Sequence, residues 1–193
     1  MINVDLPFEL RNLVEVADLL GGPAKGWLTN SYDDAMAVYA QRPLVVADTV
    51  VIPAKDAWPL YQDCQACVCQ AGRAFRVFER IAFYADREIK PDVPAVAHRR
   101  DNVPWTDEEA ARLKRSDDRY DRKIAKVIEV SRAVGWHDGR YQVFLLTRHP
   151  APDHRRLPAA IPHKAVGQES AFVQRQRYVS LHALETANTT SEL

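Results

Sequence analysis

The feature that most constrains the fold is a run of aliphatic, largely β-branched residues from 44 to 52, which reads Leu-Val-Val-Ala-Asp-Thr-Val-Val-Ile. β-branched side chains fit the pleated surface of a sheet better than the crowded turns of a helix, so the run predicts a strand. Pro53 ends it, because proline lacks the N–H that a sheet needs. Helical apolar spacing over 10–20 and a short capped stretch over 31–40 precede the run. The chain therefore combines strands and helices, and we predict an α/β fold.

The rest of the chain continues this alternation. The capping box Thr106-Asp107-Glu108-Glu109 opens a helix that we expect to run to about Val134, before Gly135. The other predicted elements are a short helix at 55–63, strands at 66–70, 95–97, 140–147 and 174–184, and a loop at 149–167. We predict a small mixed sheet with helices in a single domain over residues 1–185, followed by a disordered tail at 186–193.

Charge and cysteine usage bear on where the protein works. The chain has 193 residues, with 26 Lys and Arg against 26 Asp and Glu, so its formal net charge is zero. This balance argues against a coat of positive charge, although it leaves room for a basic face. No apolar run reaches the roughly 18 residues of a membrane span, and the N-terminus does not resemble a secretory signal. Three cysteines close together fit a reducing compartment, so we expect a soluble cytoplasmic protein.

Cysteine and histidine spacings do not predict a metal site. Cys64, Cys67 and Cys69 form a C-x-x-C-x-C pattern, but no second pair of ligands stands at a spacing that zinc sites use. Cysteine is among the most buried residue types, so apolar packing is the favoured explanation. The sequence also lacks an H-E-x-x-H motif, a Walker-type loop and a Gly-x-Gly-x-x-Gly loop. These observations argue against zinc hydrolases and against the common nucleotide-binding motifs.

A Gly-Arg turn is the most chemically suggestive segment. Ala71-Gly72-Arg73-Ala74-Phe75-Arg76 stands between the strand predicted at 66–70 and a helix predicted from 75 to 85. Backbone N–H groups at a helix start attract anions, and glycine lets a phosphate approach closely. Arg73 and Arg76 would add charge-assisted hydrogen bonds. Two alternatives stay open: an ordinary helix start with solvated arginines, or one long helix over 61–85 that tolerates the glycine.

A resemblance to a known fold rests on two stretches, Cys67-Val68-Cys69-Gln70-Ala71-Gly72-Arg73-Ala74-Phe75-Arg76-Val77-Phe78-Glu79-Arg80 and Val93-Pro94-Ala95-Val96-Ala97. Together they resemble the core of the ParB/sulfiredoxin superfamily. That core places a strand, a glycine-and-arginine turn, a helix, and then a strand that opens near a proline. The resemblance implies that Gly72, Arg73 and Arg76 bind the phosphates of ATP.

Within this superfamily, the size and the arginine-rich neutral composition are similar to those of plasmid fertility-inhibition factors. The similarity implies an ATPase and DNase that blocks the transfer of DNA through a type IV secretion system. DNA would then be a partner, together with components of the secretion system. The protein would work in the cytoplasm or peripherally at the inner membrane.

Three residues are candidates for catalysis in such a protein. DNA cleavage needs charge stabilisation at a phosphate, commonly with Mg²⁺ held by carboxylates. The candidate carboxylates are Asp48, within the predicted strand, and Glu79, after the turn, while His98 is a candidate general base. Arg99 and Arg100 would grip DNA phosphates. Simpler explanations remain open for these residues. Asp48 could lie at a strand edge and face water, and Glu79 could form an ion pair along a helix. Residues 98–100 could be a solvated, charged loop.

Two further functions would use the same chain differently. The basic side chains of the helix predicted from Thr106, and the segment 149–156, could contact a DNA backbone without cutting it. Such a protein would be a non-catalytic DNA-binding adaptor. A protein inhibitor that occupies a surface of a larger machine would need neither DNA nor nucleotide.

Overall fold

A computed structural model of the chain describes residues 47–164, 172–173 and 176–193. These residues belong to one compact unit that covers 46–193. The described part contains ten strands, four α-helices and one 3-10 turn, which confirms the mixed α/β class. The helices predicted over 10–20 and 31–40 lie outside the described residues.

The larger sheet has five strands, in the order β10-β1-β3-β4-β9. These strands are β1 (Thr49–Pro53), β3 (Arg80–Ala85), β4 (Glu88–Ile89), β9 (Ile161–Pro162) and β10 (Arg177–Val179). β1 and β3 run parallel, whereas the other neighbours are antiparallel, so the sheet is mixed as predicted. The strand predicted over 44–52 is thus confirmed from residue 49 onward, and it ends at the expected proline.

A second, antiparallel sheet carries the turn of interest. It has three strands in the order β2-β7-β6, namely β2 (Ala66–Gln70), β7 (Arg140–Leu146) and β6 (Val96–Pro104). A short pair, β5 (Asp92–Val93) with β8 (Arg155–Arg156), stands apart from both sheets. The strands predicted at 66–70 and 140–147 are therefore confirmed nearly to the residue.

The strand predicted at 95–97 is longer than expected. β6 continues to Pro104, so His98, Arg99 and Arg100 lie on a strand rather than in the loop that the sequence suggested. β6 is an edge strand, and edge strands often carry charged side chains that discourage pairing with another chain. That is why its second half does not look like a strand in the sequence.

The helix predicted from 75 to 85 is wrong. Residues 73–79 are irregular, and β3 follows them. Ile81 and Phe83 pack toward the second sheet, whereas Ala82 packs on the opposite face of the larger sheet. Because β3 is buried on both faces, apolar residues occupy consecutive positions and imitate the spacing of a helix.

The long helix predicted from Thr106 to Val134 is also wrong, because it is two helices. They are α2 (Asp107–Lys114) and α3 (Arg119–Ala133), numbered after α1 (Ala57–Cys64). The break lies at 115–118, where the Asp118 side chain accepts a hydrogen bond from the Tyr120 N–H at 2.7 Å. Aspartate at this position caps a new helix, and its own backbone turns out of helical geometry.

The predicted cap at Thr106 is present and gives a stability test. Its Oγ1 accepts a hydrogen bond from the Glu109 N–H at 3.2 Å. We expect Thr106→Ala to lower the free energy of unfolding by about 1 kcal/mol, because one backbone N–H of the first turn loses its partner. Urea denaturation measures this change. Thr106→Ser keeps the hydroxyl and should stay close to the original stability, and equal losses in both variants would contradict the capping role.

The core is layered. Helices α2 and α3 cover one face of the second sheet, and Trp105, Leu113 and Ile128 are fully buried there. The other face of the second sheet packs on the larger sheet around Phe83 and Phe144. The outer face of the larger sheet is covered by the C-terminal residues, which include α4 (Leu181–Thr186). In the described part of the chain, no helix has both the length and the apolar character that crossing a membrane requires.

The last residues differ from the frayed tail that the sequence predicted. A 3-10 turn spans Thr190–Glu192, and Thr190 is buried. Its hydroxyl oxygen accepts a hydrogen bond from the Lys164 N–H at 3.1 Å and lies 3.1 Å from His163 Nδ1. Side-chain hydrogen bonds of this kind tie a terminal segment to the body of a domain.

Candidate functional site

The predicted corner at Gly72 exists, but a helix does not follow it. β2 ends at Gln70, and Gly72 has a φ of 81°, a conformation that only glycine adopts without strain. The turn is held by the Ala71 N–H, which donates to the Arg140 carbonyl at 3.1 Å. Since residues 73–79 are irregular, a helix dipole makes no contribution to anion binding at this corner.

A groove of about 1000 Å³ opens beside the corner. Its wall includes the turn residues 71–74, the end of β2, and the side chains of Trp136, Tyr141 and Gln176. The Trp136 and Tyr141 rings lie 5.4 Å apart, centroid to centroid, and present an aromatic surface. The groove volume is at the upper end of the range of small-molecule sites, about 300–1000 Å³.

Contacts of its side chain and of its backbone position Arg73 at the edge of this groove. Its Nε donates to Gln176 Oε1 at 3.2 Å, and its guanidinium lies 5.2 Å from the centroid of the Phe75 ring. Its carbonyl accepts a hydrogen bond from Gln142 Nε2 at 3.1 Å. Gln142 is buried, and its Oε1 has no hydrogen-bond partner within the described residues. Gln142 and Gln176, both distant in sequence, therefore hold the backbone and the guanidinium of Arg73 at the edge of the groove.

The irregular segment 73–79 is held by two side chains near the C-terminus, which we call the C-terminal clamp: Gln176, just before β10, and Tyr178 within it. Gln176 Nε2 donates to the Ala74 carbonyl at 3.0 Å and to the Tyr178 hydroxyl oxygen at 3.1 Å. The Tyr178 hydroxyl oxygen in turn accepts from the Arg76 N–H at 2.9 Å. These hydrogen bonds fix the backbone of residues 73–79, although the segment has no regular secondary structure.

Arg76 lies apart from the groove. Its guanidinium stands over the Tyr178 ring at 5.3 Å. Arg76 and Arg99 line a small cavity of about 190 Å³ together with Phe78 and Phe144. The structure thus places Gly72 and Arg73 in one site, and it brings Arg76 together with Arg99, a candidate DNA contact, in another.

The two candidate carboxylate residues meet through their backbones. The Asp48 carbonyl accepts a hydrogen bond from the Glu79 N–H at 2.7 Å. The Asp48 carboxylate accepts from the Leu181 N–H at 2.8 Å and from the Thr49 hydroxyl at 2.9 Å. Asp48 precedes β1 rather than lying within the strand, and its side chain holds the C-terminal helix to the sheet. Glu79 is exposed.

The candidate DNA-binding residues on β6 have partners of their own. The His98 ring stacks on Tyr120 with centroids 4.4 Å apart, and its buried Nε2 has no hydrogen-bond partner in the described part of the chain. Arg99 Nε pairs with Asp101 at 2.9 Å, and Arg100 pairs with Asp121. A hydrogen bond from Ser116, aided by Arg100, holds the pKa of Asp121 below its ordinary value.

Two cysteines on one face of β2 complete the surroundings of the groove. Cys67 and Cys69 are both buried and reduced, and Cys69 borders the groove. A hydrogen bond from Cys67, aided by the nearby Arg73, lowers the pKa of Cys69, whereas that hydrogen bond and burial raise the pKa of Cys67. Across residues 47–164, 172–173 and 176–193, no three His, Cys, Asp or Glu side chains are grouped to hold a metal ion.

The sequence predicted the turn at Gly72 as a site, but it did not predict the side chains that form the rest of the groove wall. Tyr141 is the register partner of Gln70, so pairing the two predicted strands would have placed this ring beside the turn. No local pattern indicates Trp136 or Gln176, because each reaches the groove through tertiary structure. In comparisons with protein-family models, with curated proteins and with solved structures, no match to this chain was found.

Proposed function

We propose that the chain binds ATP in the groove beside Gly72 and acts on DNA. It would do so as a plasmid fertility-inhibition factor that blocks transfer through a type IV secretion system. The proposal rests on the sequence resemblance to the ParB/sulfiredoxin superfamily, and within it to the fertility-inhibition factor Osa (oncogenic suppression activity), although residues 73–79, where that core has a helix, are irregular here. The observation that carries it is the groove itself, with Arg73 fixed at one edge and an aromatic wall formed by Trp136 and Tyr141.

The groove offers complementary surfaces to both ends of a nucleotide. A base that stacks on an aromatic ring gains about 1–3 kcal/mol, and Trp136 and Tyr141 provide such rings. A Cβ built on Gly72 would meet nothing within 4 Å, so the space beside this backbone is open to a phosphate. Arg73 would add a charge-assisted hydrogen bond to the phosphate.

Basic side chains near the second sheet would contact DNA. Arg99 and Arg76 face a shared cavity, and the exposed face of α3 adds further cations. These are Arg119, Arg122, Lys123 and Lys126. Contacts of this kind neutralise phosphates and release counterions, so binding should weaken steeply as salt rises.

A magnesium site built from the protein alone does not fit these residues. The Asp48 carboxylate already accepts two hydrogen bonds, and the described residues provide no group of three ligands. Mg²⁺ would therefore enter with the phosphates of ATP, as it does in many nucleotide sites. We derive no step of the proposed hydrolysis from a metal held by Asp48 or Glu79.

A second candidate function, a non-catalytic DNA-binding adaptor, is favoured by one specific observation. The Asp48 carboxylate accepts a hydrogen bond from the Leu181 N–H and His98 stacks on Tyr120, so two of the three candidate catalytic residues serve the fold where they stand. An adaptor needs the basic surface but no converging acid and base.

Nucleotide titration tests the first candidate, because the adaptor needs DNA but no nucleotide. We expect ATP with Mg²⁺ to bind saturably and to change tryptophan fluorescence, because Trp136 lines the groove. Arg73→Ala should weaken binding about tenfold or more, since it removes a hydrogen bond to a charged group. Arg115→Ala removes the same charge from an exposed site away from the groove, and it should leave affinity unchanged. Equal affinities for both variants would contradict the assignment of Arg73.

Plasmid DNA separates the two candidates. Incubation with Mg²⁺ and ATP, followed by electrophoresis, should show cleavage that Arg73→Ala reduces if the protein is a nucleotide-dependent nuclease. A gel shift that weakens with salt, without nicking, would identify the adaptor. Binding of neither ATP nor DNA would reject both.

A further inference from the structure

A second cavity, of about 320 Å³, shares no lining residue with the groove. It lies between the C-terminal end of α1, strand β5 and the segment that follows β7. Its lining is mostly polar and includes Tyr61, Asp92, Arg148, His149 and Arg156. We infer that this cavity binds a phosphate group, and the inference does not depend on nucleotide binding beside Gly72.

A buried histidine organises one side of the cavity. The His154 side chain is fully buried, and its Nε2 lies 2.9 Å from the Asp92 carboxylate. The same carboxylate oxygen lies 3.5 Å from Nη1 of Arg156. Asp92 is therefore fixed from behind by the imidazole and orients the guanidinium of Arg156 at the cavity wall. Such support of one polar group by another reduces the cost of ordering a binding site.

Arg148 supplies a cation that the rest of the described chain leaves uncompensated. Its guanidinium makes no ion pair or hydrogen bond with any described residue, although it lines the cavity. The cavity therefore holds two guanidinium groups, those of Arg148 and Arg156, against the one carboxylate of Asp92. This excess positive charge favours an anion, and the guanidinium fork matches the oxygens of phosphate.

The Tyr61 hydroxyl and two backbone carbonyls near the cavity already have hydrogen-bond partners. Burial, and then Asp92, raise the pKa of Tyr61, so its hydroxyl keeps its proton and donates to the Thr147 carbonyl at 3.2 Å. At the end of α1, the Gln65 N–H donates to the Tyr61 carbonyl at 2.8 Å and Gln65 Nε2 donates to the Gln62 carbonyl at 3.2 Å. These carbonyls are therefore less able to repel an incoming anion.

The test uses the whole chain and follows its histidine side chains by NMR. Titration with inorganic phosphate should shift the ring signals of His149, which lines the cavity, and of His154, which contacts Asp92. The exposed His182 on α4 should not respond. Arg148→Ala should weaken the affinity for phosphate about tenfold or more. Arg115→Ala changes the total charge equally, and it should leave the affinity unchanged.

Asp92→Asn separates a positioned site from simple charge attraction. If charge alone mattered, removing this carboxylate would strengthen phosphate binding, whereas loss of its hold on Arg156 weakens binding. We expect binding at least about threefold weaker, with the folded state checked by its thermal transition. Tighter binding in this variant would overturn the positioning argument. Equal responses of the Arg148→Ala and Arg115→Ala proteins, or no saturable response to either inorganic phosphate or a 5′-phosphate on a nucleic acid, would overturn the site.

The phosphate can be free or can terminate a nucleic acid, and matched oligonucleotides distinguish these sources. A short single strand with a 5′-phosphate is compared with the same strand lacking it, using the same histidine signals. A shift that requires the 5′-phosphate and is lost in Arg148→Ala supports a nucleic-acid end as the source. A shift with inorganic phosphate alone supports a free anion. Identical effects of both strands, without a response to inorganic phosphate, would contradict the inference.

Discussion

Replacing Trp105 by alanine is expected to lower the free energy of unfolding by about 3–5 kcal/mol. The side chain is fully buried, and its Nε1 donates to Ser131 Oγ at 3.0 Å. Its ring lies 4.9 Å from that of Tyr141 and 6.1 Å from that of Trp136. The substitution therefore leaves a large cavity, and it also removes one hydrogen bond that the buried Ser131 hydroxyl accepts, although that hydroxyl still donates to the Val127 carbonyl.

Urea denaturation followed by circular dichroism measures this loss. Trp105→Phe keeps most of the apolar volume and should cost clearly less than the alanine variant. Val134→Ala removes an apolar side chain that is 75% exposed, and it should change the stability by no more than about 0.5 kcal/mol. A loss below about 1 kcal/mol for Trp105→Ala would mean that this corner of the core is not packed as described.

Phe144→Ala is expected to cost a similar amount, about 3–5 kcal/mol, and to loosen the segment 73–79. The Phe144 ring is buried, and it lies 5.4 Å from the Phe75 ring and 5.6 Å from the Phe78 ring. Those two rings are the apolar anchors of the irregular segment. Their loss should raise amide hydrogen exchange in 73–79 more than in β7 itself.

The outcome for Phe144 can be separated from general destabilisation. Phe144→Leu retains an apolar side chain, so its effect on both stability and exchange should be smaller. Val77→Ala alters the same segment at a side chain that is 95% exposed, and it should change neither. Faster exchange throughout the protein, with no preference for 73–79, would contradict the anchoring role of these rings.

Elements with strong local signals were predictable. The hydroxyl of Thr106 caps α2, as the capping box indicated, and the strand predicted at 140–147 begins at Arg140, directly after Gly139. In both cases the residues that define the element are neighbours in sequence. The corner at Gly72 belongs to the same class, because glycine allows the positive φ that the turn requires.

Elements whose character depends on distant packing were not predictable. β3 is covered on both faces, so its consecutive apolar residues satisfied a helical pattern as well as a strand pattern. His98 sits on an edge strand whose charged neighbours resemble a loop. The break before α3 depends on Asp118, whose capping of Tyr120 competes with continuation of the preceding helix.

The residues of the candidate site also fall into these two groups, those with a local sequence signal and those that depend on tertiary structure. Gly72 and Arg73 were evident because the turn is local, whereas Trp136 and Gln176 approach them only in the folded chain. For the two candidate catalytic carboxylates, the sequence suggested a chemical role that the structure does not support. Asp48 and Glu79 do contact each other, but through a backbone hydrogen bond. The Asp48 carboxylate accepts a hydrogen bond from the Leu181 N–H instead. A residue type suited to catalysis is equally suited to capping a backbone group.

The C-terminal clamp has a consequence for how the protein is made. Arg73 and its partner Gln176 are 103 residues apart, and Arg76 and Tyr178 are 102 apart. Ribosomes add about 5–20 residues per second, so roughly 5–20 s separate the synthesis of the two halves of this contact. During that interval the nascent chain carries an unfastened Gly-Arg segment and lacks one wall of the groove. On the proposed function, nucleotide binding would have to follow translation of residues 176–178 rather than accompany emergence of the turn.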